Sequence, residues 1–295
     1  MKFELVIDSK STEVVIALLK EGRLIELHKE KHDNNYSVGD IYLGKVKKIV
    51  PGLNAAFVGV GHEKDGFLHY LDLGAQVKSF KKFIDKTRAK KLNTASLKNF
   101  RRDKDTLKEG KIQEVVKGGD HLMVQVSKEP ISSKGPRLST ELSFAGRYMV
   151  MIPFSDRVSI SQKIKSSEEK SRLKKLIHSI KPKGFGVIIR TIAEGKKVAE
   201  LDTDMKNLYK KWQIIFKKLK TANLNERIHG EMNRSSVILR DLLNSEFSKI
   251  HVNRPEIHAE LKEYLSRISP DQEKIVKLYK GEIPIFQKMN ITQQI

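Results

Sequence analysis

The chain has 295 residues, of which 57 are Lys or Arg and 36 are Asp or Glu, so its formal net charge is +21. This excess of positive charge favours a polyanionic partner, nucleic acid before a membrane surface. The absence of cysteine excludes disulfides and thiolate metal sites. The first residues lack the pattern of a signal peptide, and no apolar run approaches the roughly 20 residues of a membrane span. We therefore expect a cytoplasmic protein of about two ordinary domains, with no membrane contact.

Residues 1–30 predict three strands, with sequences FELVIDS, TEVVIALLKEG and RLIELHKEK. Glu21 and Gly22 lie between the last two of these runs, which is typical of a hairpin turn. The polar stretch HDNNYSVGD then predicts a linker.

A second group of strands runs from Gly39 to about Lys128. Five short β segments separated by bends that contain glycine predict a small closed barrel. The segments are DIYLGKVKKIV, NAAFVGVG, DGFLHY, GKIQEVVK and HLMVQVSKE, and the turn PGLN joins the first two.

Residues 78–108 lie between the third and fourth of these segments and are strongly basic. They hold twelve Lys or Arg and three Asp, a net charge of +9. Such a composition predicts a mobile, solvated loop. On a barrel, a loop of this charge would attract phosphates.

Strands and helices alternate after the barrel. RLSTELS, RYMVMIP and GFGVIIRT predict strands, and SSEEKSRLKKLIHSI predicts a helix that a serine caps. From Val198 to Leu219 an apolar residue recurs every three or four positions, which predicts a helix with one buried face. From about Glu231 a helix, the strand FSKIHV and a further helix precede KIVKLYKGEIPIF. We expect this last region to complete the sheet begun by residues 1–30, so that the middle regions are insertions in one α/β domain.

Phe57 and Phe67 are the first candidates for a binding surface. Each alternates with small or apolar neighbours that point to the opposite strand face, and His69 follows Phe67 on the same face. Single-stranded RNA is bound by stacking unpaired bases on such rings, and the lysines of YLGKVKK add positive charge nearby. The alternative is that both rings fill the edge of a core.

Arg190 and Thr191 end a strand that reads as buried. The planar guanidinium and the hydroxyl are donors for phosphate oxygens. By itself the pair is more typical of an ordinary surface turn.

Asp8 ends the first strand, as a metal-binding aspartate does in RNase H-like nucleases. Two-metal hydrolysis needs several converging carboxylates, whereas the matching later strand supplies His251 and Asn253. We therefore predict that Asp8 is a turn residue. The sequence contains no HExxH, P-loop or GxSxG motif.

Several collinear motifs resemble the N-terminal part of bacterial ribonucleases of the E/G family: IYLGKVKKIVPGLNAAFVGVGHEKDGFLH, KGPRLSTELSFAGRYMVMIP, GVIIRT and VKLYKGEIPIF. The resemblance covers essentially the whole chain and is weakest in residues 78–108. It implies a mixed α/β and β multidomain fold, in which an RNase H-like α/β domain is interrupted by an OB-fold barrel and an α+β 5′-sensor domain. The implied ranges are 1–38 and 232–295 for the RNase H-like domain, 39–130 for the RNA-binding barrel and 131–231 for the sensor.

The resemblance also implies site residues. Those expected to contact single-stranded RNA are Phe57, Phe67 and Lys134. Those expected to hold a 5′-monophosphate are Arg190, Thr191, Gly146 and Val150.

In this family the Mg²⁺-binding acids belong to a DNase I-like domain that follows the EIPIF segment. The resemblance therefore implies that Ile295 precedes the nuclease centre. We expect no catalytic residue, metal site or cofactor in this chain, whereas the full-length family enzyme uses Mg²⁺ and some members carry a structural zinc. Gln162, followed by Lys163, departs from a basic position that is common in the family.

The favoured hypothesis is that the chain binds single-stranded RNA and senses a 5′-monophosphate, as part of an endoribonuclease of RNA processing and decay. Alone it would not be catalytic, and it would form homo-oligomers only in the full-length enzyme. One alternative is a stand-alone RNA-binding module with a regulatory or ribosome-associated role. The other is a scaffold whose basic surface binds a protein.

Overall fold

The computed structural model describes residues 2–31, 36–131, 134–243 and 246–295. The chain forms two compact units. The first contains Met1–Asn35 and Met232–Ile295, and the second contains Tyr36–Glu231. The domain ranges expected from the resemblance stay a prediction.

The strands in chain order are β1 (Phe3–Ser9), β2 (Glu13–Lys20), β3 (Arg23–Lys31), β4 (Ile41–Val50), β5 (Ala55–Gly59), β6 (Gly66–His69), β7 (His121–Lys128), β8 (Arg137–Ser139), β9 (Phe144–Ala145), β10 (Met149–Pro153), β11 (Val158–Ile160), β12 (Phe185–Ile189), β13 (Glu226–His229), β14 (Phe247–Val252) and β15 (Val276–Leu278). The α-helices are α1 (Val77–Arg88), α2 (Ile112–Val115), α3 (Ser167–Ile180), α4 (Val198–Leu219), α5 (Arg234–Leu242), α6 (Pro255–Ile268) and α7 (Ile285–Lys288).

The first unit is a sheet in the order β15-β14-β1-β2-β3. The hairpin of β2 and β3 is confirmed, and β14 pairs in parallel with β1, so the late strand FSKIHV completes the early sheet as expected. Side chains alternate along β1. Leu5 and Ile7 pack with residues of α5 and α6, whereas Val6 packs with Ile285 and Phe286 at α7. Both faces of β1 are therefore buried.

The barrel of the second unit is closed by five strands. Its order is β4-β5-β6-β8-β7, and pairing of β7 with β4 completes the circle. This arrangement is consistent with an OB-like fold. The whole chain is accordingly a mixed α/β protein.

One barrel strand differs from the sequence prediction. GKIQEVVK is not a strand, because Ile112–Val115 forms the short helix α2, and β8 supplies the fifth strand instead. Ile112 and Val116 are fully buried in the barrel core, and the Ile112 N–H donates to Oδ1 of Asn54 at 2.7 Å. Tertiary packing has thus overridden the β propensity of this run.

The prediction of a solvated loop at residues 78–108 is wrong. Its first part is α1, and Phe80, Phe83 and Ile84 of that helix are buried in the main core of the second unit. The lysines occupy the other face, where Lys82 pairs with Asp103 at 2.7 Å. The apolar residues recur every three or four positions, which explains the helix. The sequence prediction missed this pattern because it relied on the many charged residues of the segment.

A second sheet, in the order β11-β12-β10-β9, packs against α3 and α4. The predicted helix from Val198 to Leu219 is confirmed, and Trp212 at its centre is fully buried. The predicted cap is also confirmed, because Ser166 Oγ accepts from the Glu169 N–H at 3.1 Å.

Candidate nucleic-acid interface

Phe57 of β5 and Phe67 of β6 lie directly opposite each other in the barrel sheet. Their ring centroids are 5.8 Å apart, and the ring planes meet at 66°. Both rings are half-buried, whereas the alternating residues Val58 and Leu68 are fully buried in the barrel core. The rings therefore lie outside the core and form a surface that a flat group can contact.

His69 continues this surface. Its ring centroid is 6.4 Å from that of Phe67, and the two planes differ by only 28°. Nδ1 of His69 accepts from the Leu71 N–H at 3.1 Å, which fixes the orientation of the ring. In the neutral imidazole the proton is then on Nε2, which is left as the donor. We call Phe57, Phe67 and His69 the aromatic face.

Lysine residues of β4 border the aromatic face. Lys48 pairs with Phe57 across the sheet. A Cβ placed on Gly59 would lie 2.8 Å from Cε of Lys47, so the stem of Lys47 crosses the strand two residues from Phe57. The glycine leaves room for this stem and brings a positive charge beside the rings.

Lys134 lies at the β6 edge of the barrel. The Phe67 N–H donates to the Pro136 carbonyl at 2.8 Å, two residues from Lys134. A Cβ on Gly135 would lie only 2.2 Å from the Asp65 carbonyl oxygen, so this backbone approach requires glycine. Lys134 itself is exposed. The sequence-predicted residues Phe57, Phe67 and Lys134 are thus brought together.

The predicted phosphate-binding residues form a second group, in the sheet β11-β12-β10-β9. The Arg190 N–H donates to the Tyr148 carbonyl, and Nη1 of Arg190 donates to the Gly146 carbonyl, both at 2.9 Å. Oγ1 of Thr191 lies 2.8 Å from Oγ of Ser161. Val150 in β10 pairs with Ile188, two residues before Arg190. These contacts bring the four predicted residues to one place.

Asp204 of α4 holds the turn at Gly146 and was not predicted from the sequence. Its carboxylate accepts from the N–H groups of Arg147 at 3.1 Å and Tyr148 at 2.8 Å. A Cβ on Gly146 would lie 2.5 Å from Oδ2 of Asp204, which excludes any side chain there. Burial raises the pKa of Asp204, and these N–H donors oppose that rise. No local sequence signal pairs these residues, because Asp204 lies 58 positions from Gly146.

Tyr148 lies beside this turn and has charged neighbours. The Arg147 guanidinium and the Lys196 ammonium each lie 5.6 Å from its ring centroid. Its hydroxyl donates to Glu200 at 3.3 Å. Burial raises the pKa of the phenol, so it is a neutral donor at physiological pH. Two cations thus lie near the Tyr148 ring, and Glu200 pairs with one of them, Lys196, at 3.4 Å.

Glu169 anchors the segment that follows Thr191. It accepts from the Gly195 N–H at 2.8 Å and forms a bidentate pair with Arg172, at 2.6 and 2.7 Å. The Arg172 hydrogen bonds first, and then that from Gly195, lower the pKa of Glu169 to about 2. This cluster joins α3 to the turn that carries the Arg-Thr pair.

Asp8 is not a turn residue, and that prediction is wrong. It lies within β1, opposite Val15, and its side chain is largely buried. Oδ1 of Asp8 accepts from Nδ2 of Asn253 at 2.7 Å, while Oδ1 of Asn253 accepts from the Ser9 N–H at 2.8 Å. The Asn253 amide thus supplies a hydrogen-bond donor to the Asp8 carboxylate and links β1 to the end of β14.

Among the described residues no three His, Asp or Glu side chains lie close enough together to hold a metal ion. A two-metal hydrolytic site needs such a group. The described helices also include none with the length and apolar character needed to cross a membrane.

Comparison with known proteins places these sites in context. The family model for the ribonuclease E/G family matches residues 143–295. The chain is similar to ribonuclease G of Haemophilus influenzae, with 32% identity over 99% of this chain and 56% of the relative. It is similar to ribonuclease G of Escherichia coli K12, with 32% identity over 100% of this chain and 56% of the relative. Ribonuclease E of Synechocystis is 34% identical over 77% of this chain and 30% of the relative. The chain thus spans about half the length of the ribonuclease G relatives it matches.

Proposed function

This chain belongs to the ribonuclease E/G family, and from that premise we propose that it binds single-stranded RNA on the aromatic face and senses a 5′-monophosphate at Arg190 and Thr191. The three half-exposed rings of the aromatic face are the observation that carries the proposal. Unpaired bases stack on such rings irrespective of sequence, at about 1–3 kcal/mol per base. Lys47, Lys48 and Lys134 would then contact the backbone phosphates.

The phosphate site is proposed from its donors. Arg190 and Thr191 present a guanidinium and a hydroxyl beside the Gly146 turn. Arg147 adds positive charge next to Tyr148, whereas the Lys196 ammonium is paired with Glu200 at 3.4 Å. A terminal phosphate monoester carries more charge than an internal phosphodiester, so such a site discriminates in favour of a 5′-monophosphate. In this proposal the guanidinium exchanges its bond to the Gly146 carbonyl for one to phosphate.

We propose further that these 295 residues bind RNA without cutting it. Endonucleolytic activity, Mg²⁺ dependence and homo-oligomer formation are assigned to the longer proteins of the family. The proposal is supported by the described residues, among which no group of three acids or histidines converges on one point. The RNase H-like and 5′-sensor domain assignments, and a cytoplasmic location, belong to the same proposal.

The test uses a fluorescent single-stranded RNA of about 15 nucleotides, long enough to span an OB-type site. One form carries a 5′-monophosphate and the other a 5′-hydroxyl. The full chain is incubated with each RNA in Mg²⁺ or in EDTA. We expect a mobility shift, tighter binding of the monophosphate and intact RNA in both buffers.

Cleavage in Mg²⁺ alone would contradict the non-catalytic assignment, and Asp8→Ala would then be the first variant to examine. Equal affinity for the two RNAs would contradict 5′ sensing. Absence of any shift would contradict RNA binding itself.

A further inference from the structure

A cavity of about 290 Å³ lies in the second unit, and none of its lining residues belongs to either group described above. It forms where the segment after α1 meets the end of β10 and the turn before β12. Lys98, Arg102 and Lys183 line it, together with a single acid, Asp156. The formal charge around the cavity is therefore positive. Its volume is close to the lower end of small-molecule sites, which begin at about 300 Å³.

Arg102 joins the two walls of this cavity. Nη1 donates to the Phe154 carbonyl at 2.7 Å, and Nη2 pairs with Asp156 at 2.6 Å. The arginine thus neutralises the one acid. Among the residues that the structure describes, no carboxylate lies within ion-pair distance of the Lys98 or Lys183 ammonium. By contrast, Lys81 and Lys82 of the same basic segment are paired with Asp120 and Asp103.

The backbone around the cavity adopts uncommon conformations. Phe154 is a buried, non-glycine residue with φ of 58°, in the left-handed region. Such a residue is strained in this conformation, and strain of this kind is concentrated at ligand sites. Gly184 has φ of 85°, and a Cβ there would lie 2.6 Å from Cβ of Leu97. The Phe154 carbonyl accepts from Arg102. Because Gly184 has no side chain, Leu97 can pack closely against it in the cavity wall.

Phe100 supplies an aromatic surface at the cavity. Its ring is half-buried and lies 5.2 Å from that of Phe154, centroid to centroid. The Lys86 ammonium is 6.0 Å from the Phe100 ring centroid on the helix side. An aromatic ring beside unpaired cations is suited to bind a nucleotide. The base stacks on the ring, and the phosphate contacts the ammonium group.

We infer that this cavity, which we call the Lys98–Lys183 pocket, is a further subsite for a phosphate and its adjoining nucleoside in the bound RNA strand. The inference rests on the proposed function, since it takes RNA as the ligand. A free nucleotide or inorganic phosphate presents the same chemistry, and the experiment separates these sources. The subsite also gives the basic segment 78–108 a role that a mobile loop could not have, because α1 fixes the pocket wall.

The test measures affinity against salt concentration for a 5′-hydroxyl oligouridylate of about 15 nucleotides, which leaves the 5′-phosphate site out of the comparison. The full chain is compared with Lys98→Gln/Lys183→Gln. The control is Lys210→Gln/Lys217→Gln, which removes the same charge from exposed positions of α4. We expect the pocket variant to reduce the slope of log affinity against log salt by about 0.7 for each phosphate that it no longer neutralises. The control variant is expected to keep the slope of the unsubstituted chain.

A parallel NMR titration follows the Gly184 amide with the oligouridylate, with uridine monophosphate and with inorganic phosphate. We expect a shift with the oligouridylate that the pocket variant abolishes. An unchanged slope in the pocket variant, with binding still weakened in Phe57→Leu/Phe67→Leu, would overturn the pocket and leave the proposed function standing. A Gly184 shift with the small phosphates but not with RNA would overturn the assignment to RNA. Failure of the unsubstituted chain to bind RNA would overturn the proposed function, and the subsite with it.

Discussion

Phe57 and Phe67 face each other across β5 and β6 with their ring centroids 5.8 Å apart, yet neither ring belongs to the barrel core. The pair contributes a T-shaped contact and leaves ring surface in solvent. Replacing both by leucine keeps apolar bulk but removes the flat faces. We expect Phe57→Leu/Phe67→Leu to weaken binding of single-stranded RNA by about 1–3 kcal/mol for each base that no longer stacks, measured by fluorescence anisotropy.

The matched control for this pair is thermal unfolding. Because both side chains lie outside the core, the melting temperature should change little. A large loss of thermal stability with unchanged RNA affinity would show that both rings stabilise the fold and do not bind RNA.

His69 provides a separate test of how far the aromatic face extends. His69→Asn removes the ring while its amide oxygen can still accept from the Leu71 N–H, as Nδ1 does in the structure. We expect weaker RNA binding, toward the lower end of the same range of about 1–3 kcal/mol per base. Affinity equal to that of the unsubstituted chain would limit the aromatic face to Phe57 and Phe67.

Arg190 is expected to control the preference for a 5′-monophosphate. Arg190→Lys keeps the charge but loses the planar fork that pairs with two phosphate oxygens. We expect the ratio of affinities for 5′-monophosphorylated and 5′-hydroxyl RNA to fall in Arg190→Lys and to approach one in Arg190→Ala. Binding of the 5′-hydroxyl RNA serves as the internal control and should not change. A preserved ratio in Arg190→Ala would remove Arg190 from the site.

Phe83 tests the corrected account of the basic segment. Its ring lies 5.0 Å from that of Trp212 and 5.6 Å from that of Phe154, and it is fully buried. Phe83→Ala should lower the free energy of unfolding by about 3–5 kcal/mol, measured with urea. Lys78→Ala, at an exposed position of the same helix, should change it by no more than about 0.5 kcal/mol. If both substitutions changed the free energy of unfolding by the same small amount, the interpretation of this segment as a solvated loop would be supported instead.

Glu169 predicts a dependence of stability on acid pH. Its pKa is about 2 in the folded chain, below the ordinary value of 4.5, because Arg172 and the Gly195 N–H stabilise the carboxylate. A lowered pKa means that the unfolded chain binds a proton first, so this stabilisation is complete above about pH 5 and is lost as the pH falls towards 2. Glu169→Gln should therefore be less stable than the unsubstituted chain near neutral pH. The difference should shrink through this window, as urea unfolding at several pH values would show.

A difference between the two proteins that stays constant from neutral to acid pH would show that the Glu169 charge is not responsible. The 5′-monophosphate preference of Glu169→Ala is a second readout. It should fall, because Gly195 follows the Arg190-Thr191 turn and would lose the carboxylate that accepts from its N–H.

Much of the fold could be predicted from the sequence because its signals are local and periodic. The apolar repeat of α4, the Ser166 cap of α3 and the hairpin of β2 and β3 each involve residues a few positions apart. Strand alternation likewise predicted that Phe57 and Phe67 share one face. These features follow from backbone geometry, which neighbouring residues determine largely by themselves.

The tertiary structure decided what depends on partners distant in the chain. The segment Ile112–Val115 satisfies strand propensity, yet the barrel core and the Asn54 side chain turn it into helix. The high charge of residues 78–108 led to the prediction of a loop where α1 forms. The buried face of α1 packs on Trp212, more than a hundred residues away. The proposed phosphate site is built around a bond from Arg190 to the carbonyl of Gly146, 44 positions earlier, and an Asp204 carboxylate that only glycine at 146 can approach. Local propensities cannot encode such contacts, because their energies arise only when the separate elements are packed together.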